Sequence, residues 1–165
     1  GLNFGLKLPT GAFDVENAAG ATAERTLQPG SGTTDALLGA YYQRQLPQRD
    51  LSWFVQGIAQ LPLDTREEYK PGEKVSLDLG LRYDATQNLG LLLQANLLWR
   101  GRDKGAAAET DDSGGYSLWL SPGIAYALGK DWQAYAFLQQ ALYQYVNGVQ
   151  LVAERGVVLG VGGRF

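Results

Sequence analysis

Cysteine, histidine and methionine are all missing from this 165-residue chain. The lack of cysteine removes thiol chemistry and thiolate metal sites, and it leaves the redox compartment unspecified. The lack of histidine removes the commonest general base and the commonest metal ligand. A long apolar run is missing as well. Hydrophobic residues make up 45% of the chain, yet the mean hydropathy is -0.20, and a transmembrane helix needs about 20 consecutive apolar residues. That test does not exclude a membrane barrel, whose lipid-facing residues are diluted one for one by residues facing the lumen. Basic residues are not in surplus. The formal charge is -3 and the isoelectric point about 4.9, which argues against nucleic acid as a partner. The sequence also opens without a charged or apolar leader. An outer-membrane protein needs one for export, so a processed chain is expected. The opening Leu2-Asn3-Phe4-Gly5-Leu6-Lys7-Leu8 is already a strand pattern, and the expectation is that strands precede Gly1.

What is present is alternation. Phe165, Gly163, Val161, Leu159 and Val157 share one parity, and Arg164, Gly162, Gly160, Val158 and Gly156 the other. One face is mostly apolar and the other small or charged, as in a strand with lipid on one side and a polar interior on the other. A last strand closing on Phe165 resembles the C-terminal assembly signal of bacterial outer-membrane barrels.

About eight strands can be read. The first is Leu2 to Leu8, followed by a long loop, Pro9 to Thr34, marked by Gly11, Gly20, Gly30 and Gly32. The second spans about Asp35 to Leu46 with mixed parity, and the third about Ser52 to Leu61, with Trp53, Val55, Ala59 and Leu61 on one face. The fourth is the cleanest: Val75, Leu77, Leu79, Leu81 and Tyr83 alternate with Lys74, Ser76, Asp78, Gly80, Arg82 and Asp84. A helical period would put Leu and Asp on one stripe. The fifth sets Leu89, Leu91, Leu93, Ala95, Leu97 and Trp99 against Gly90, Leu92, Gln94, Asn96, Leu98 and Arg100. The sixth, about Tyr116 to Leu128, is interrupted by Pro122, where a bulge is expected. The seventh spans about Trp132 to Tyr145, and a turn around Asn147-Gly148 leads into the last.

Connections alternate between long and short, the pattern of long extracellular loops and short periplasmic turns. With Phe165 on the periplasmic side, the three long loops fall outside. Trp99, Tyr83, Tyr126 and Trp132 stand near the ends of apolar faces, where interfacial aromatic belts lie. A soluble sandwich or lipocalin-like barrel also alternates, but its strands usually run about five or six residues, and alternation here persists for longer. The reading is an all-β, antiparallel transmembrane β-barrel spanning 1–165 as a single domain.

Several stretches carry a resemblance: Gly5-Leu6-Lys7-Leu8-Pro9-Thr10-Gly11, the segment from Gly30 to Tyr41, Tyr69-Lys70-Pro71-Gly72, Ser121-Pro122-Gly123-Ile124, and Tyr143 to Leu151. In these the chain resembles a family of Gram-negative outer-membrane barrels, described as transporter-like and grouped with the outer-membrane proteins of phenol-degradation pathways. Members are longer, so the resemblance implies a larger barrel of about twelve strands, of which this chain holds the C-terminal portion. It implies no catalytic residues. It implies membrane lipid, lipopolysaccharide and the barrel-assembly machinery as surroundings, with a partner protein or an oligomer also open.

Taking the leucine faces as lipid-facing, the opposite parity lines the lumen. Candidates there are Lys74, Asp78, Arg82, Asp84, Arg100 and Arg102, with Lys7, Arg164 and Glu154. A positive constriction favours anions. The plainer reading is that Asp78, Arg82 and Arg100 pair and brace the wall. Strands six to eight add Trp119, Tyr135, Phe137, Tyr143 and Tyr145 with Gln133 and Gln139, either a slide for aromatic or apolar solutes or side chains filling a narrow barrel. The acidic loop Glu109-Thr110-Asp111-Asp112 lacks the spacing of a calcium loop. Gln28-Pro29-Gly30-Ser31-Gly32 lacks the Lys-Ser or Lys-Thr of a phosphate loop. No cofactor is implied. A channel or transporter for small solutes, aromatic or anionic, is the leading function. A structural barrel that anchors or is plugged by a partner is the alternative. A barrel enzyme is remote, because most such chemistry needs a histidine.

Overall fold

The computed structural model describes residues 1–163; Arg164 and the terminal Phe165 lie outside the described residues. Eight antiparallel strands follow one another in a single sheet: β1 (Leu2–Lys7), β2 (Asp35–Leu46), β3 (Leu51–Pro62), β4 (Lys74–Asp84), β5 (Leu89–Arg100), β6 (Gly115–Ala127), β7 (Trp132–Val146) and β8 (Arg155–Gly163). The only helical segments among the described residues are two 3₁₀ turns, Arg25–Leu27 and Pro47–Arg49. Every neighbour in sequence is a neighbour in space. Among the described residues β1 and β8 are the two edges and do not pair with each other, so the strands form an open sheet, not a closed barrel.

Antiparallel succession sends alternate connections to opposite ends. Loops 8–34, 63–73, 101–114 and 147–154 gather at one end, and turns 47–50, 85–88 and 128–131 at the other. Asp50 closes the first of these turns with φ 50°, and Gly129 lies in the last with φ 94°.

Register places the two parities on two faces. The row Gln60, Lys74, Arg100, Gly115 and Val146 runs across β3 to β7, and the row Gln56, Asp78, Asn96, Trp119 and Ala141 runs parallel to it. Both rows lie on what is here called the polar face. The opposite face carries Leu77, Leu79, Leu81, Leu91, Leu93 and Leu97, all exposed. The mixed parity of β2 resolves the same way, with Asp35, Leu37, Gly39 and Tyr41 on the polar face through their pairs with β3.

A soluble domain buries its leucines; this chain does the reverse. The buried side chains include Thr33, Asp35, Asp103, Ser113 and Ser121, whereas Tyr69 and Ala125 are the buried hydrophobics among the described residues. The accessible surface is 11125 Å², against about 8,000 Å² for a compact soluble protein of this mass.

Two details differ from the sequence reading. Pro122 does not mark a bulge: β6 runs through it, and the β6–β7 register is the same on either side. The ladder toward β7 skips only Ser121 and Pro122, as a residue without an N–H requires. The bulge lies instead on β7. Trp119 pairs with Ala141 and Leu118 with Tyr143, leaving Leu142 as the extra residue.

Candidate functional site

The polar face has three zones. At the long-loop end, Lys7 Nζ donates to Ser31 Oγ (2.6 Å), the Thr33 carbonyl (3.0 Å) and Asp35 Oδ2 (3.1 Å). Thr33 Oγ1 (2.8 Å) and Gln60 Nε2 also donate to Asp35. Register explains the convergence: Lys7 and Asp35 are opposite each other on β1 and β2, and Gln60 lies beside them on β3. A second knot forms around Asp103, which is fully buried in loop 101–114. Its carboxylate accepts from Arg100 Nη2 at 2.8 Å to each oxygen, from the Tyr69 hydroxyl at 2.8 Å and from the Gly72 amide at 2.8 Å. Burial, then the neighbouring Asp103 carboxylate, pushes the Tyr69 phenol up, so it stays a protonated donor. At the rim, a 3.0 Å bond from Lys104 holds the Glu73 carboxyl below the usual carboxylate range.

Between these knots lies a cavity of about 210 Å³, lined among others by Lys7, Arg25, Asp35, Tyr69, Lys74 and Arg100. Arg25 reaches it from the 3₁₀ turn, with its guanidinium 4.4 Å from the Phe13 ring centroid and 5.2 Å from that of Tyr69. In the middle zone, Asn96 Nδ2 donates to Asp78 (2.8 Å) and Ser121 Oγ donates to Asn96 Oδ1 (3.2 Å), a chain across β4, β5 and β6. At the short-turn end, Arg82 Nε donates to Asp84 (2.6 Å) and Nη1 to Gln133 on β7 (2.9 Å). On a flat sheet three strand spacings would hold β4 and β7 about 14 Å apart. Two side chains meeting across them means that the sheet curls with its polar face inward.

The predicted lining residues separate accordingly. Lys74, Asp78, Arg82 and Arg100 share the polar face, and Asp84 ends β4 on the same parity. Asp78 does not pair with Arg82 or Arg100; each has its own partner. Arg102 is not on a strand: β5 ends at Arg100, and the exposed Arg102 bonds to the exposed Asp111 at 3.0 Å within loop 101–114. Glu154 likewise precedes β8.

Tyr135, Phe137, Trp119, Gln133 and Gln139 are on the polar face. Tyr143 and Tyr145 are not. The bulge at Leu142 reverses parity, and both rings stack on Tyr116 of the apolar face, with centroids 5.5 and 5.2 Å away. Tyr135 and Phe137 lie flat over facing glycines rather than projecting across the sheet. A Cβ at Gly160 would overlap the Tyr135 ring, and one at Gly123 the Phe137 ring. The residues the sequence reading missed, Thr33, Asp35, Tyr69 and Asp103, are short polar side chains or loop residues. Only their tertiary partners distinguish them from solvated ones.

Neither the curated proteins nor the solved structures contain a match to this chain. Residues 1–152 match the family described as "Putative MetA-pathway of phenol degradation", and the chain belongs to that family.

Proposed function

We propose that this chain forms wall of an outer-membrane β-barrel channel that passes small aromatic or anionic solutes, with its C-terminus periplasmic. The observation that carries the reading is the pair of aromatic belts on the exposed apolar face. Trp99, Tyr116 and Tyr145 stand toward the long-loop end, and Tyr83, Tyr126 and Trp132 toward the short-turn end, all exposed, with leucines between. Tyr116 and Tyr126 are ten positions apart on β6, about 33 Å along a strand. At the tilt usual in membrane barrels this becomes roughly 25 Å, the height of an apolar band flanked by aromatic girdles. An apolar face of this extent calls for lipid, in an outer membrane carrying lipopolysaccharide, and for delivery by the barrel-assembly machinery.

The family description names phenol degradation, which supports aromatic solutes. Lys74, Arg82 and Arg100 on the curled polar face support a preference for anions. The preference is modest, because Asp78 and Asp84 share the wall and salt screens charges over about 10 Å at 0.1 M. The proposal assigns no catalytic step. For the barrel to close, further strands bridge β1 and β8, since an unpaired edge in lipid exposes backbone donors at prohibitive cost.

The test is conductance of the full-length protein in a planar bilayer under a salt gradient. Stepwise conductance with a small anion preference is expected, turning toward cations in Lys74→Glu combined with Arg82→Glu. The second reading, a barrel that anchors or is plugged by a partner, draws on the lacing of loops 8–34, 63–73 and 101–114 over one end. Correctly inserted protein without conductance favours it.

A further inference from the structure

We infer that the cavity at the long-loop end is a capture site for a small organic monoanion, an aromatic monocarboxylate. Its carboxylate lies against Lys74 and Arg100, and its ring takes the apolar cavity next to them. The inference deepens the channel reading and rests on it for the route by which the solute arrives.

Three observations converge on this end of the polar face. The first is charge. Of the cations lining the cavity, Lys7 is paired with Asp35, Arg25 with Glu67 and Arg100 with Asp103. Lys74 is half-buried and has no hydrogen-bond or ion-pair partner among the described residues. Glu67 also pairs with Arg66 at 3.8 Å, outside the lining; counted over the lining cations alone, the surplus is a single positive charge, and the ligand it complements is a monoanion. A phosphate monoester, at about -1.5 to -2, would overcompensate it.

The second is unmet hydrogen bonding. The Nε–H groups of Arg25 and Arg100 are both buried without an acceptor, and both residues line this cavity. Buried donors are nearly always paired, so the guanidinium groups beside this cavity are incompletely satisfied, although the two Nε–H groups themselves are shielded from it. A planar carboxylate offers two oxygens and suits guanidinium and ammonium donors together.

The third is the neighbourhood. Arg100 also lines a second cavity of about 250 Å³, bounded by Leu98, Trp119, Val146 and Val152 among others. Register builds this junction: Lys74 and Arg100 face each other on β4 and β5, and Gly115 and Val146 continue the same row on β6 and β7. A flat apolar body attached to the carboxylate reaches the apolar cavity without leaving the cations. Acetate lacks that body and neutral phenol lacks that charge, so both should bind less well.

Trp119 makes the site readable. Trp53, Trp99 and Trp132 lie on the apolar face, and Trp119 is on the polar face beside the site. Tryptophan fluorescence of the full-length protein in detergent micelles is titrated with benzoate, acetate and phenol. A saturable benzoate response is expected, with acetate and phenol at least tenfold weaker. Lys74→Gln, which removes charge but no hydrogen bond, is expected to weaken benzoate about tenfold and leave phenol unchanged, with the circular dichroism of the folded barrel retained. Equal binding of benzoate and phenol, no saturable response, or unaltered benzoate affinity in folded Lys74→Gln would each overturn the site. Binding without bilayer conductance would overturn the channel and keep the site; conductance without binding would do the reverse.

Discussion

Arg100–Asp103 and Arg82–Asp84 are both arginine–aspartate pairs, with N···O distances of 2.8 and 2.6 Å, at opposite ends of the polar face. Distance makes them equivalent; surroundings do not. The Asp103 side chain is 0% exposed and Arg100 28%, whereas Asp84 is 48% exposed and Arg82 35%. Asp103 also accepts from Tyr69 and the Gly72 amide, tying loops 63–73 and 101–114 together. Asp84 accepts one side-chain bond, from Arg82. In water an ion pair mainly exchanges one set of hydrogen bonds for another. A fully buried member such as Asp103 depends on its partner, because it cannot return to solvent. The long-loop end is thus tied by buried hydrogen bonds between its loops, and the short-turn end is closed by its tight turns.

The largest effect should come from removing the buried partner. Asp103→Ala leaves Arg100 and Tyr69 unpaired and should cost about 3–5 kcal/mol, read from urea unfolding of folded protein in vesicles. A cost below 1 kcal/mol would mean that water reaches the knot and the contrast between the ends is false. Next comes the band between the ends. Leu79→Arg should cost about 2–4 kcal/mol in a bilayer if Leu79 faces the midplane. The same unfolding series would show no penalty if that face were not in lipid. Third, Asp84→Ala at the short-turn end should cost no more than about 1 kcal/mol. A loss as large as that of Asp103→Ala would dissolve the comparison. The smallest effect tests whether burial or location matters, since Glu73–Lys104, a half-buried carboxylate with an exposed lysine, is a solvent-accessible pair at the same long-loop end. Lys104 lowers the Glu73 pKa in the folded state. Its contribution is therefore complete above the ordinary carboxylate range, near pH 4.3, and is lost as pH falls through the lowered folded value. Comparing the pH dependence of stability in wild type and Glu73→Gln should show only a slight divergence, confined to acid pH.

Strand positions were legible in the sequence wherever alternation was strict. β4 and β5 have the bounds read from Lys74 to Asp84 and Leu89 to Arg100, because a period of two leaves no other regular structure. β7 was legible in extent but not in facing. One extra residue, Leu142, carries Tyr143 and Tyr145 to the apolar face, and nothing local in Gln140-Ala141-Leu142-Tyr143 announces it. The bulge is defined by the partner strand. Pro122 drew the expectation of a bulge because proline lacks an N–H, yet a gap in the ladder met that need without an extra residue.

The candidate site divides along the same line. Lys74, Arg82 and Arg100 could be assigned to one face by parity alone, since side-chain direction in a strand is a local property. Their individual roles could not. Arg82 braces across to Gln133 on β7, Arg100 is bound to a loop aspartate, and Lys74 has no hydrogen-bond or ion-pair partner among the described residues. These are three states of similar residues in similar strand positions. The alternation of the chain, by itself, determined an all-β sheet with one apolar and one polar face. Curl, loop docking and burial decided which charges are paired and which is left over, because pairing depends on groups far apart in sequence and on the exclusion of water that only their convergence produces.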